Sequence, residues 1–468
     1  MPEYSSKSFY LLLIIKSKAK IMAYTEKTTT GYGTRVGNSI KATLMGFVII
    51  IGATILLWWN EGRAVKTADM LEDAQGACVE MPNPDKKSAE FEGELVCATA
   101  MANTDEVLND TEFGISENAI SLSRKVEYFQ WVEHSESKSE DKLGGKQETT
   151  TTYTYSQEWV SSPVNSGDFK DPAYQGKNHT WATIEDQTVW AENVTFGAYV
   201  LNESLIHSIS SSEAVELNVN DAILQSFDRS VADVYARIKG VPAAAATAQA
   251  EPAAAVADSL QTAIPDSIKQ DNKVDLEYVH QAGNVIYFGR TMNAPEIGDV
   301  RITFEKTVPA KVTVVSCVEG NTFKPFVAKN KKKFQTLRMG KKSIEEIFEE
   351  ENEANSMWTW VLRILGIILV ISGVKSLFSF VETLLKVVPF LSSLFAFGVG
   401  IIATVIGLVY SLIVIALAWI FYRPVLGIIL LLIAGFLVWV FAFNGKKKLA
   451  ELANKGKNKA EAEAAPAE

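Results

Sequence analysis

The chain has 468 residues, 47% of them apolar, and a formal net charge of −10. Its mean hydropathy of +0.07 is far too high for a disordered protein, and the acidic balance speaks against a nucleic-acid binder, which is usually basic. Three cysteines, Cys78, Cys97 and Cys317, provide neither a disulfide scaffold nor a zinc motif. The average conceals a division, because residues 60–356 are polar while residues 388–443 carry a single charge, Arg423. A purely soluble protein is excluded.

In chain order, residues 1–41 form a basic tail, followed by a first apolar run at Ala42–Trp59 without a charge. At 1.5 Å per residue the run covers most of a hydrocarbon core about 30 Å thick. Arg35 and Lys41 flank one end and Trp58-Trp59 supply an aromatic belt at the other. The run is longer than a signal-peptide core and no small-residue cleavage site follows, so an uncleaved anchor is expected. Three further spans are expected at Trp358–Val374, Leu391–Leu412 and Val425–Phe443, with Tyr422-Arg423-Pro424 as the break between the last two. Residues 413–421 either extend the third span or form an interfacial segment. The fold class is thus a membrane protein of four transmembrane helices, one N-terminal and three C-terminal (residues 357–443), with a basic tail at 444–468.

Residues 60–356 carry 28 basic and 48 acidic side chains, whereas the rest of the chain carries 17 basic and 7 acidic. The positive-inside rule then places both termini in the cytoplasm and the large region outside. That region should be a β-rich α+β domain. Strands are expected at Val126–Val132, Thr150–Trp159, Thr188–Val194, Val285–Arg290, Val300–Thr307 and Val312–Val318, with Gly144-Gly145 as a hairpin tip. Helix is expected at Ala64–Gly76 and Ala222–Lys239. The Ala/Pro stretch at 241–257 reads as a linker or insert. Ser343-Ile344-Glu345-Glu346 is a capping-box pattern that opens a helix running into the second span, either docked on the domain or solvated.

No catalytic constellation is visible. The four histidines, His134, His179, His207 and His280, match no metal or catalytic motif, and no Walker loop, nucleophile elbow or dinucleotide fingerprint occurs. No cofactor or metal is expected. Interest falls instead on the membrane interface, at Glu61, Arg63, Trp58, Trp59, Trp358, Trp360, Arg363 and Arg423. Arg363 lies inside the second span, where an arginine either serves a function or snorkels to the surface. In the third span Ala396, Gly400 and Thr404 form one small-residue ridge, and Ala403, Gly407 and Ser411 form another, as helix packing or self-association requires.

Several segments together resemble the LUMA (transmembrane protein 43) family. They are Asn60-Glu61-Gly62-Arg63-Ala64, Val126–Glu133, Tyr155–Trp159, Gly298-Asp299-Val300-Arg301, Asn355-Ser356-Met357 and Trp419–Pro424. The resemblance covers about residues 36–445, in order and with the same arrangement of spans. It implies a scaffold that self-associates and organises membrane protein complexes, placed in the endoplasmic reticulum and inner nuclear membrane in animals; bacterial members would lie in the inner membrane. It carries no catalytic residues. The expected partners are membrane lipids, other copies of the chain and other membrane proteins, with no nucleic acid. Rival readings are a pore or transporter formed by the C-terminal spans and a cell-envelope enzyme. The sharpest expectation is that Arg63 and Arg363, within reach of lipid phosphate or Glu61, set the height of the domain with the four tryptophans and so form the assembly surface.

Overall fold

In a computed structural model, residues 23–240, 276–422, 428–429, 432–433 and 435–440 are described. Eight strands carry most of the polar domain: β1 (Tyr24–Thr30), β2 (Leu95–Asn103), β3 (Ser121–Asp141), β4 (Gln147–Val160), β5 (Val285–Phe288), β6 (Val300–Thr307), β7 (Ala310–Glu319) and β8 (Thr336–Met339). Five long helices or helical segments accompany them: α1 (Tyr32–Ala77), α2 (Asp221–Lys239), α3 (Ile344–Leu377), α4 (Ser379–Leu385) and α5 (Pro389–Tyr422). The first sheet runs β1-β4-β3-β6-β5 and ends on Val279–Ala282; the second is built around β2 and β7, with β8 on β7. Val126, Ile286, Ile302 and Phe304 of the first sheet share one core with Val96, Ala98, Val312 and Val314 of the second, and α2 adds Leu224 and Val231.

The second sheet is covered on its other face by helices. Met70, Leu71 and Ala74 of α1 and Ile347 and Phe348 of α3 pack on Leu95, Cys97, Val315 and Cys317. Burial on both faces explains why Leu95–Ala98 reads as an unbroken apolar run and why Val312–Val318, interrupted only by Thr313 and Ser316, does not alternate. The Ser343 capping box is formed and opens α3 at this surface, so this helix is docked and not solvated. The three thiols are free. Burial pushes Cys97 up to about 11 and Cys78 up to about 12, which keeps both protonated and unreactive.

Three helices are long and apolar enough to cross a membrane: α1, α3 and Phe390–Tyr422 of α5. The protein is therefore an integral membrane protein with one N-terminal and two C-terminal spans among the described residues. Helix α5 is continuous through residues 413–421, so these extend the third span. Arg423 lies outside the described residues, as do parts of the fourth expected span, Val425–Phe443, and all of the 241–257 insert and the 444–468 tail. Helix α1 has 46 residues, about 69 Å; it passes through the expected span and continues at both ends. The boundaries expected at 41/42 and 59/60 are thus not breaks in the chain's structure, and the helix expected at Ala64–Gly76 is the far end of the same rod. Glycines let the rods touch. A Cβ at Gly46 would lie 2.8 Å from the carbonyl oxygen of Gly373, one at Gly366 would lie 2.5 Å from Leu57, and one at Gly407 would lie 2.6 Å from Ile371.

One arrangement departs from expectation. The hairpin β3–β4 is far longer than its sequence signals, and β1, from the expected cytoplasmic tail, pairs along its outer half from Tyr24↔Tyr153 to Thr30↔Gln147. Its tip touches the N-terminal end of α1 and not the domain core. From Glu133 to Gly144 the arm extends about 36 Å, matching the roughly 38 Å of helix between Arg35 and Asn60. Residues 60–356 are thus not confined to one end of the helices.

Candidate functional site at the membrane interface

Where α1 and α3 leave the domain, their side chains interlock. Glu61 is 0% exposed. Arg363 donates to it twice, Nε to Oε1 at 2.7 Å and Nη2 to Oε2 at 2.6 Å. The Trp419 indole N–H also donates to Oε2. The guanidinium carbon sits 5.0 Å from the Trp360 ring centroid and 5.5 Å from that of Trp419. A two-pronged pair held between aromatic faces is the geometry for which arginine, and not lysine, is suited. Arg363 therefore neither snorkels nor faces lipid phosphate: its charge is taken by Glu61.

Arg63 has different partners. Its Nη1 donates to Asn355 Oδ1 at 3.1 Å, and its Nη2 to Thr359 Oγ1 at 2.9 Å and to Asn60 Oδ1 at 3.4 Å. Asn60 returns a bond to the Thr359 carbonyl at 3.0 Å and Asn355 to the Ala64 carbonyl at 3.0 Å. These side chains also cross-link the two helices by satisfying carbonyls between them. Gly62 is required because a Cβ there would lie 2.7 Å from the Tyr422 hydroxyl. Trp58 packs edge-on against Phe421 at 5.3 Å, while Trp59, Trp358 and Trp360 are exposed on the outside of the bundle, as an interfacial belt demands.

A second cluster lies at the other end of the spans. Arg35, a buried residue of α1, donates to Asp141 Oδ1 at 2.6 Å and to the Gly145 carbonyl at 2.8 Å. Lys386 lies 4.0 Å from Asp141, and the Gly144 N–H donates to the Val387 carbonyl at 3.2 Å. Gly145 is at φ +79 with the Tyr32 ring against it, where a Cβ would lie 2.3 Å away, so both conformation and space demand glycine. Of the small-residue ridges, Ala403, Gly407 and Ser411 are buried in the bundle, whereas Thr404 is exposed, Ala396 and Gly400 are half-buried, and nothing lies within 4 Å of where a Gly400 Cβ would stand.

A family model described as Transmembrane protein 43 matches residues 128–424. The chain belongs to the transmembrane protein 43 family. Transmembrane protein 43 of Mus musculus is 27% identical over 418 residues, covering 87% of this chain and 91% of the mouse protein. The Homo sapiens protein is 27% identical over 417 residues, covering 86% and 90%, and a Drosophila melanogaster homolog is 24% identical over 398 residues, covering 83% and 91%. No solved structure matches the chain.

Three of the segments that resemble the family, Asn60–Ala64, Asn355–Met357 and Trp419–Pro424, bring residues into the Glu61–Arg63 cluster. The other three meet in the domain. Arg301 Nε donates to Glu127 at 2.6 Å across β6 and β3, Tyr155 donates to Glu133 at 2.6 Å across the hairpin, and Asp299 accepts from Trp181 at 2.8 Å and from Tyr287. Burial raises the Asp299 carboxyl above its ordinary value against the pull of these donors. Asn60, Asn355 and Trp419 are marked in the sequence only by the resemblance, and Thr359 not at all, yet all four belong to the interface. Asn60 and Asn355 stand beside the expected spans, where an amide that is not needed for solubility is a signal of a helix-to-helix bond. Among the described residues no group of histidine, cysteine and acidic side chains could hold a metal ion.

Proposed function

We propose that this member of the transmembrane protein 43 family is a non-catalytic membrane organiser that self-associates, with four spans, both termini in the cytoplasm and most of residues 60–356 outside. The observation that carries the reading is the polar arm. Ser135–Asp141 and Gln147–Thr152 contain no apolar side chain, and the arm joins the two ends of the spans. One face bears Ser137 paired with Thr151 and Ser139 paired with Thr149, the other bears Glu136, Lys138 and Glu140. Such a surface, with open strand edges, does not lie against hydrocarbon. Protein must cover it, and a second copy of the chain, the commonest partner of a soluble or membrane chain, supplies that cover. The half-open ridge at Ala396, Gly400 and Thr404 supports the same reading, since it lets another helix approach closely.

The test is the molar mass of the purified chain in detergent by light scattering. An oligomer is expected, and replacing residues 136–152 by a Gly-Gly turn should convert it to monomer. A monomer at every concentration, or an unchanged oligomer without the arm, overturns the reading. The same hydroxyl-lined face favours a second reading, in which several copies enclose a water path. Ion flux through planar bilayers that disappears with the arm would select it.

A further inference from the structure

A cavity of about 610 Å³ opens at the domain end of the first span. Its walls divide by chemistry. Ile55, Trp58 and Trp59 line the side facing the span, whereas Arg63, Lys66 and Lys332 converge on the side facing the domain. Among the described residues none of these three cations lies within ion-pair distance of a carboxylate: Glu61, the acid nearest Arg63 along the helix, is occupied by Arg363, and Asp69, three residues beyond Lys66, forms no ion pair with it. The Nε of Arg63 is buried and has no hydrogen-bond partner. The Lys332 ammonium donates to Thr67 Oγ1 at 2.6 Å, which leaves two of its protons for another acceptor. Burial, then repulsion from Arg63 and Lys66, pulls the Lys332 ammonium below its ordinary range. Lys332, repelled by Arg63 and Lys66, calls for an anion among the three cations, and the apolar wall below them calls for hydrocarbon.

We infer that this cavity holds an anionic glycerophospholipid, its phosphate and headgroup charge on Arg63, Lys66 and Lys332 and its acyl chains along Ile55, Trp58 and Trp59. The tryptophan rings mark the level at which glycerol and phosphate meet in a bilayer. Exposed Lys66 and partly buried Lys332 sit on the headgroup side of that level, as basic groups that read lipid charge do. The site depends on the placement of the first span in the membrane and is independent of self-association.

The experiment uses the full chain, delipidated in neutral detergent and returned to phosphatidylcholine nanodiscs. Phosphatidylglycerol is titrated in, and bound lipid is counted by native mass spectrometry alongside thermal unfolding. One tightly held phosphatidylglycerol is expected, together with a raised melting temperature. The variant Lys66→Ala with Lys332→Ala should weaken its retention about 30-fold, at about fivefold for each lysine. Lys332→Arg should keep it, and removal of Lys86 and Lys87 should not alter it. Equal retention in the double variant overturns the site. Equal stabilisation by added phosphatidylcholine overturns its preference for charge. Equal stabilisation by inorganic phosphate alone overturns the lipid assignment in favour of a free anion.

Discussion

The two ends of the helix bundle solve the same problem differently. At the domain end Glu61 is 0% and Arg363 14% exposed, and both belong to rods that run on into the domain core. At the far end Arg35 is 6% and Asp141 23% exposed, and Asp141 sits near the tip of an arm about 36 Å long. The first junction is a continuous packed structure; the second is a latch. The difference teaches that the domain is fixed to the membrane by helix and core, whereas the arm is held at its far end by polar contacts and by the β1–β4 ladder.

Breaking the domain end should have the largest effect. Glu61→Ala leaves the Arg363 charge without its partner and should cost about 3–5 kcal/mol, read as a lower melting temperature in detergent. Replacing both members, Glu61→Leu with Arg363→Met, should recover most of that loss, because well-packed apolar residues often substitute for a buried pair. Gly373→Leu should come next, at about 1–3 kcal/mol, by forcing α3 away from Gly46. At the far end Asp141→Ala should cost only about 1 kcal/mol, since the Gly145 carbonyl still satisfies Arg35. Its clearer sign should be faster proteolysis at Leu143, with the domain intact.

The smallest effect concerns pH. Burial, despite the Lys177 carbonyl, holds the His179 imidazole below its ordinary value of 6.5. A depressed folded value means that its contribution to stability is complete above 6.5 and is lost as pH falls through the lower folded value. His179→Gln should therefore flatten the decline in domain stability below pH 6.5. An unchanged acid-unfolding curve would remove His179 from that account.

Much of this architecture was legible from residues alone, for stated reasons. The three described spans follow from apolar length, and the start of α3 from the Ser343–Glu346 pattern, although that pattern left open whether the helix docks. β6 alternates apolar and polar residues, so its face toward the core could be read directly. The partner of Arg363 was readable only as a choice between Glu61 and lipid, because sequence spacing does not say which side of a helix meets which neighbour. β1 was not legible. Its YTEKTTT has β propensity but no apolar face, and its pairing with Gln147–Tyr153 is set by a contact more than a hundred residues away. The same absence of an apolar face hid the length of the hairpin, since hydrophobic alternation marks only strands with a buried side.

The most direct measurement is a short bismaleimide crosslink between Asp141→Cys and Lys386→Cys, in a chain whose Cys78, Cys97 and Cys317 are replaced by alanine and which is kept in native membranes. The two side chains face each other at 4.0 Å, so an efficient crosslink is expected, with Glu136→Cys paired to Lys386→Cys remaining unlinked. If Asp141→Cys never links to Lys386→Cys, and instead reacts with an impermeant reagent supplied from the domain side, the arm does not reach the far end of the spans and the account is contradicted.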